Sequence, residues 1–536
     1  MRKLISIVLI CLLTLTTFAV AASATSGSYV TYEDFGAVGD GETCDFDAIY
    51  AAHAYANEHG LPVRALAGAT YYLHGVGRTI TIQTSTDWTD ANFIVNNYVV
   101  PIGQHAAPLF RVTSQLAAID LTDQVQTLAR DQAHIDITLP QPALVFAEDN
   151  NVRHFIRRGA NANQGRAQSD FFLVDENGNV CETTPILWDF NAVTRMQALP
   201  IDSARLYLTG GNFTTIEAQP GWNSPYFNRG LVIERSNVTL DGLSHVVTGE
   251  VAGQAPPNSG FLQIRNVANV TVQHTELSGR IRAVHGSYDL GISRVVNLLF
   301  YHVRQVNCIH SDTHWGIIGA NEGKNVVFDN VELSRFGFHT ALHNGTLRNS
   351  SIGHQGIAIT GSGEFRLENT TVSSWHLLNL RSDFGSTWDG NLVIRNAVFE
   401  PIGNDAVVIN FSNDGRHDFG YDTFMPRTIC IDGLRIEDGN HRLMRHFPLL
   451  YTRPSLLATN HRYGNDALRI SLLIEWFTTR NAPYRIALTE EISLRNVDVA
   501  SGRTMRLSRN FFLFRERIFR TVRVNRLADS CPCHLR

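Results

Sequence analysis

Nine segments of this chain carry the same short pattern, and that pattern restricts the fold more than any other feature. Aligned on their first residues, they begin at Val238 (VTLDGL), Val270 (VTVQHTEL), Val296 (VNLLFYHV), Val326 (VVFDNVEL), Gly345 (GTLRNSSI), Phe365 (FRLENTTV), Leu392 (LVIRNAVF), Ile429 (ICIDGLRI) and Ile492 (ISLRNVDV). Most have apolar residues at offsets zero, two and seven. Offset four is Asn330, Asn349, Asn369, Asn396 or Asn496, or else Gly242 or Gly433. Alternation at zero and two points those side chains to one face of a short strand. Asn and Gly are the residues that most cheaply adopt the left-handed backbone needed to turn the chain after such a strand. Most successive segments lie roughly 20 to 30 residues apart. One coil cannot bury its own apolar face, so several must stack into a solenoid. The expected fold is therefore all-β, a parallel β-helix whose rungs occupy 201–500, with an asparagine ladder along one turn. The ladder also accounts for the N-x-S/T motifs at Asn349 and Asn369. Asn212, Asn237, Asn269, Asn344 and Asn410 fit that motif as well.

The segment from Tyr32 to Tyr72 adds a second constraint. A Gly-rich turn (Gly36 to Gly41) precedes a helix expected from about Phe46 to Glu58, striped by Ala48, Ile49, Ala52 and Tyr55. A strand near Ala69 to Leu73 follows. The stretch DFGAVGDG (Asp34 to Gly41), this helix and this strand resemble the N-terminal cap of the pectate-lyase-like superfamily. The resemblance covers about forty residues. It implies a right-handed parallel β-helix with a small helix-containing cap over 30–75. It does not select a chemistry, because that superfamily includes lyases, hydrolases, epimerases, phage tailspikes and non-enzymes.

Residues 1–24 read as an export signal: Arg2 and Lys3, an apolar run from Leu4 to Val20, then Ala22-Ser23-Ala24. Export would permit disulfides, but Cys44, Cys181, Cys308 and Cys430 lie far apart, and Cys531 and Cys533 form a weak CxC. Residues 76–200 are expected to be strands and loops leading into the helix, with room for an inserted subdomain. Residues 501–536 form an arginine-rich tail. The formal net charge of −5 gives no basic footprint for nucleic acid. Lysine occurs only at positions 3 and 324, so Lys324 is the one mature candidate for lysine chemistry.

Polar and aromatic residues concentrate between Tyr288 and Asp383. Equal offsets on adjacent rungs stack side by side, which would place Arg335 next to His354, with Gln305 and Ser374 on the same strip. The residues expected to do chemistry are Arg335, His339, His354 and Asp312. Tyr288, Asp289, His314, Trp315, His343, Gln355 and Trp375 are expected to bind substrate. Asn307, His310, His376, Arg381 and Asp383 complete the cluster. The stretch from Gly286 to Gly363 resembles a subgroup of bacterial cell-surface β-helix proteins that share a tyrosine–aspartate pair, a tryptophan–glycine turn and an S-R-F-x-x-H segment before G-H-Q-G. Members of that subgroup often carry an acid where this chain has Gly337, and a glutamine near Ala341.

Aromatics beside fixed polar groups suit sugar rings and their hydroxyls and carboxylates. The expected protein is a secreted or cell-surface carbohydrate-active β-helix, a polysaccharide lyase or glycoside hydrolase acting on an acidic, uronate-containing polysaccharide. The alternative is a non-catalytic glycan-binding adhesin; a phage-type depolymerase fragment is disfavoured by the export signal. A lyase needs a base for the C5 proton and a group that neutralises the carboxylate. Arg335 could serve in either role, His339 or His354 as base or acid, and Ca2+ held by Asp289, Asp312 and Asp383 is an alternative neutraliser. A hydrolase needs two carboxylates. The cluster is rich in histidine and poor in carboxylates, which leans toward the lyase.

Overall fold

The computed structural model describes residues 29–438, with short interruptions at 75–76, 99, 160–162, 222, 283–285, 403–404 and 414, then 469–473, 482–502, 505–508 and 523–526. The segment expected to be an export signal, the CxC at Cys531 and Cys533 and most of the arginine-rich tail lie outside the described residues. Within them the strands stack in parallel, rung on rung. Val238 pairs with Val270, Val270 with Leu298, Leu298 with Val326, Val326 with Gly345 and Gly345 with Phe365. Phe365 continues to Leu392, then Ile429, then Ile492. The side chains at offsets zero and two fill the bore, where Phe300 and Phe328 stack at 4.5 Å.

The residue at offset four is left-handed on every one of these rungs: Gly242, His274, His302, Asn330, Asn349, Asn369, Asn396, Gly433 and Asn496. Asn369 donates to Asn349 and Asn396 to Asn369. A second ladder runs one residue before the strands, from Asn297 to Asn269, Asn325 to Asn297 and Asn344 to Asn325, each near 3.1 Å. It accounts for the asparagines of two further N-x-S/T motifs, Asn269 and Asn344.

One rung departs from the expected alignment. Leu298, not Val296, is the first inward residue of its strand. Val296 is buried on the outside, where Leu144 and Phe171 of another unit cover it and Ala268. An apolar residue buried under an insertion looks like a core residue in sequence, and that produced the two-residue slip.

The covering unit is 119–201. The β-helix is already under way when it begins, since Thr86–Asn96 stacks on Thr70–His74 and receives Leu206–Ile216. Between them, Ala143–His154 pairs antiparallel with Arg166–Val174 and Arg195–Pro200. This sheet has its own core, including Val145, Phe172 and Met196. Lys324 Nζ lies 2.8 Å from Asp170, both side chains at most 2% exposed, and it also donates to the Pro185 carbonyl. Arg166–Glu322 and Arg130–Asp389 ion pairs extend the seam. Lys324 therefore fastens the insertion and is not available for chemistry.

At the cap the helix is Phe46–His59. It buries Phe46, Ile49, Ala52, His53 and Ala56, while Tyr55 of the expected stripe stays exposed and stacks on His59. Trp88 donates to the Tyr32 hydroxyl, which in turn bonds His53. The described cysteines 44, 181, 308 and 430 are all free thiols.

Candidate functional site

One face of the β-helix has a floor almost without side chains. Gly291 pairs with Gly319, and Gly337 with Ala358. Their chain neighbours Leu290, Ile292, Ile318, Ala320, Phe336, Phe338, Ile357 and Ile359 point into the bore, so the small residues face outward. Large side chains lie down on this floor. A Cβ at Gly319 would sit 2.7 Å from the Tyr288 ring, and one at Gly337 would sit 2.6 Å from Arg335 Nε. The acid that resembling proteins often place at this last position would occupy the space now taken by the guanidinium.

Arg335 is 6% exposed, and its Nε makes no hydrogen bond. Tyr288 is close enough to the guanidinium for its charge to act on it. Burial pushes Arg335 down from its ordinary value, and Tyr288 opposes this. The His339 ring lies 6.2 Å from that of Tyr288 at 62°. Burial, and then Arg381, Arg335 and Arg157, hold His339 well below the usual imidazole range, so it is neutral at pH 7. Arg381 grips Asp383 through Nε at 3.1 Å and a second nitrogen at 2.6 Å, and Arg157 reaches the same carboxylate at 2.9 Å. Burial alone would raise Asp383, but the two arginines outweigh it and keep it ionised.

The expected neighbours of Arg335 are only partly brought together. Tyr288, Arg335 and His339 converge, with Arg381 and Asp383. His354 does not face Arg335. The register shifts after Leu333, so that Arg335 pairs with Gly356. His354 turns instead toward the 306–316 loop, its Nδ1 2.9 Å from the Ile309 carbonyl. There it joins His314, whose ring contacts Asn307 and Thr313. The partly exposed Asp312 is close enough for its charge to act on His354. Trp315 bridges the two groups: the Arg282 guanidinium lies 5.4 Å from its ring centroid, and its Nε1 is near Gly286 beside Tyr288. Gln355 is half-buried, and Trp375 stands 58% exposed at a turn.

Two expected binding residues lie elsewhere. Asp289 is wholly buried, taken up by His245 at 2.7 Å, Arg280 at 2.9 Å and the Ser278 amide. The strand is irregular here: the amides of Asp289 and Leu290 both donate to the Ile317 carbonyl, and the two adjacent side chains are both buried, while Tyr288 lies on the outer floor. His343 pairs with Lys324 under the insertion and bonds Ser362. The three aspartates expected to hold calcium do not meet, and no metal-ligand cluster forms among the described residues. Arg157 was missed, because it comes from the insertion, where no repeat pattern marks it.

A separate cleft of about 670 Å3 lies at the seam of insertion and ladder, lined by Asp175, Glu176, Asn179, Asp202, Asn237 and Asn269. It contains none of the expected site residues. Its carboxylates would repel an acidic sugar, so the arginine cluster is the better candidate for one.

These features define a right-handed parallel β-helix with a sheet inserted between early rungs. No family model and no curated protein matches the sequence. Among solved structures the chain is similar to the tailspike of Pseudomonas phage phi297, with 14% identity, a TM-score of 0.50, and coverage of 88% of this chain and 80% of that one. It is also similar to the tailspike of Acinetobacter baumannii bacteriophage AP22, solved in complex with A. baumannii capsular saccharide, with 11% identity, a TM-score of 0.51, and coverage of 95% and 82%. At such identities the likeness is one of fold. No described helix is long and apolar enough to cross a membrane.

Proposed function

We propose that this is an exported carbohydrate-active protein that binds an acidic polysaccharide along the Tyr288–Arg335–His339 strip and cleaves it by β-elimination at a uronate unit. The observation that carries this reading is the His339 ring 6.2 Å from that of Tyr288, with the charges of Arg381, Arg335 and Arg157 acting on it. Arg335 binds the uronate carboxylate and so acidifies the proton on C5. Neutral His339 removes that proton, and the Tyr288 hydroxyl protonates the departing glycosidic oxygen. The C5–H and C4–O bonds break, and a C4=C5 double bond forms. Hydrolysis needs two carboxylates flanking the glycosidic bond. Here the charges acting on His339 are those of three arginines, and Asp383 is held between two of them. The saccharide bound to the AP22 tailspike accords with this fold serving as a carbohydrate platform.

The test is to incubate the mature protein with a panel of acidic polysaccharides, following the ultraviolet absorbance of unsaturated uronate and, in parallel, new reducing ends. Absorbance with reducing ends supports the lyase; reducing ends alone mean hydrolysis. Binding without either supports an adhesin, a reading favoured by the absence of an acid at Gly337.

A further inference from the structure

We propose that the inserted unit builds a second anion subsite, in which Arg157 and Arg381 hold a second negatively charged group of the same saccharide, a carboxylate or a sulfate ester, beside the one held by Arg335. This rests on the uronate reading of the site and states how many charges its ligand carries.

The first argument is charge. Three guanidinium groups act on His339, and the carboxylate among them, Asp383, offsets one. Two positive charges remain, in a setting where burial strengthens their pull. A single uronate balances one of them. The second argument is construction. Arg157 leaves the inserted sheet on a segment fixed to the β-helix at four points. Ile156 donates to the Phe419 carbonyl at 3.1 Å, and His417 reaches the Ile156 carbonyl at 3.0 Å. The Arg158 amide donates to the Asp383 carbonyl at 2.9 Å, and Phe155 packs among Phe384, Phe419 and Tyr421. The third is geometry. Asp383 pins Arg157 and Arg381 by one carboxylate, so both forks are oriented before any ligand arrives. Arg157 remains 31% exposed, so solvent still reaches its guanidinium.

The probes are three oligosaccharides of equal length: one with a uronate at every unit, one alternating uronate with a neutral sugar, and a sulfated form of the second. Affinities are measured calorimetrically on the full chain in a His339→Ala background, in which turnover is too slow to interfere with the titration. Arg157→Gln should weaken the fully charged or the sulfated oligomer by about tenfold and the alternating one by less than about twofold. The oligomer that responds tells carboxylate from sulfate. Arg157→Lys keeps the charge and should restore most of the loss, which a merely structural role would not require. Equal losses on all three probes, no loss on any, or failure of Arg157→Lys to rescue would overturn the subsite. If the His339→Ala chain with Arg157 intact binds none of the probes, the uronate reading falls with it.

Discussion

Replacing Asn349 by alanine should destabilise the central rungs by about 2 to 3 kcal/mol. The backbone there is left-handed, with φ at 53°. An alanine in that conformation costs about 1–2 kcal/mol. The side chain donates to Asp329 at 2.8 Å and accepts from Asn369 at 3.1 Å. Each bond is worth about 0.5–1.5 kcal/mol, and the low end applies because Asn349 is exposed. Asp329 stays paired with Arg348, so no buried charge is orphaned. Asn349→Gly loses the same bonds without the strain. Even after its greater chain entropy in the unfolded state, it should be more stable than alanine by about 0.5–1 kcal/mol. Since a solenoid need not unfold in one step, the measurement is amide hydrogen exchange over residues 345–352 together with urea midpoints. If alanine and glycine prove equally stable, or glycine the worse, the asparagine is not there to turn the chain, and the account of the repeat is wrong.

Four other outcomes follow from particular contacts. Arg335→Ala and His339→Ala should each lower turnover by about 100-fold or more without shifting the unfolding midpoint, whereas His354→Ala should retain it, because the register shift turns His354 away. Gly337→Ala should leave the fold intact but push the Arg335 guanidinium off the floor, costing on the order of 100-fold in kcat/KM; unchanged kinetics would mean that Arg335 does not act from its place beside Gly337. Lys324→Met leaves the Asp170 carboxylate buried with only the Phe171 and Leu187 amides to hold its charge, and should cost about 3 kcal/mol, read as early proteolysis within 119–201. Acid should destabilise the fold: His53 and His343 are pushed down to about 3 and His154 to about 4 by burial. Below pH 6.5 the unfolded chain takes up protons that the folded chain refuses, so stability is complete above that pH and falls toward pH 4 and below. The slope is up to about 1.4 kcal/mol per pH unit for each such histidine, checked by urea midpoints from pH 7 to 4.5.

The repeat was legible because it rests on local chemistry. An inward apolar pair and a left-handed Asn or Gly recur in each coil whatever surrounds them, and the pairs from Val326 to Ile492 fall in the expected register. The same locality limits what a repeat can reveal. Val296 was misread because burial under 119–201 imitates burial in the bore. The Arg335–His354 pairing failed because the next rung has three residues between Ile352 and Gly356 where this one has a single residue between their partners Leu333 and Arg335. The convergence of Tyr288, Arg335 and His339 was within reach of the repeat, since Tyr288 and Arg335 stand on stacked strands and His339 follows the end of one. Arg157 could not, since the insertion that carries it obeys no period.

That asymmetry bears on how such a site arises. The solenoid supplies a floor of small residues wherever an outward position is Gly or Ala on successive strands, but a floor alone has no chemistry. Here the rungs bring Arg335, His339 and Arg381 to one strip, and the inserted chain adds Arg157 from outside. Asp383 is the joint between them, held by Arg381 from its own rung and by Arg157 from the insertion. Its backbone carbonyl also accepts the Arg158 amide. A displacement of the insertion therefore moves one of the charges that keep His339 neutral, whereas a change within the bore need not. It follows that Lys324→Met, far from the reacting groups, should raise the pKa of His339 and move the acid limb of kcat/KM upward toward 6.5. An unmoved acid limb in a folded Lys324→Met variant with a loosened insertion would mean that the inserted unit covers the helix without taking part in the site.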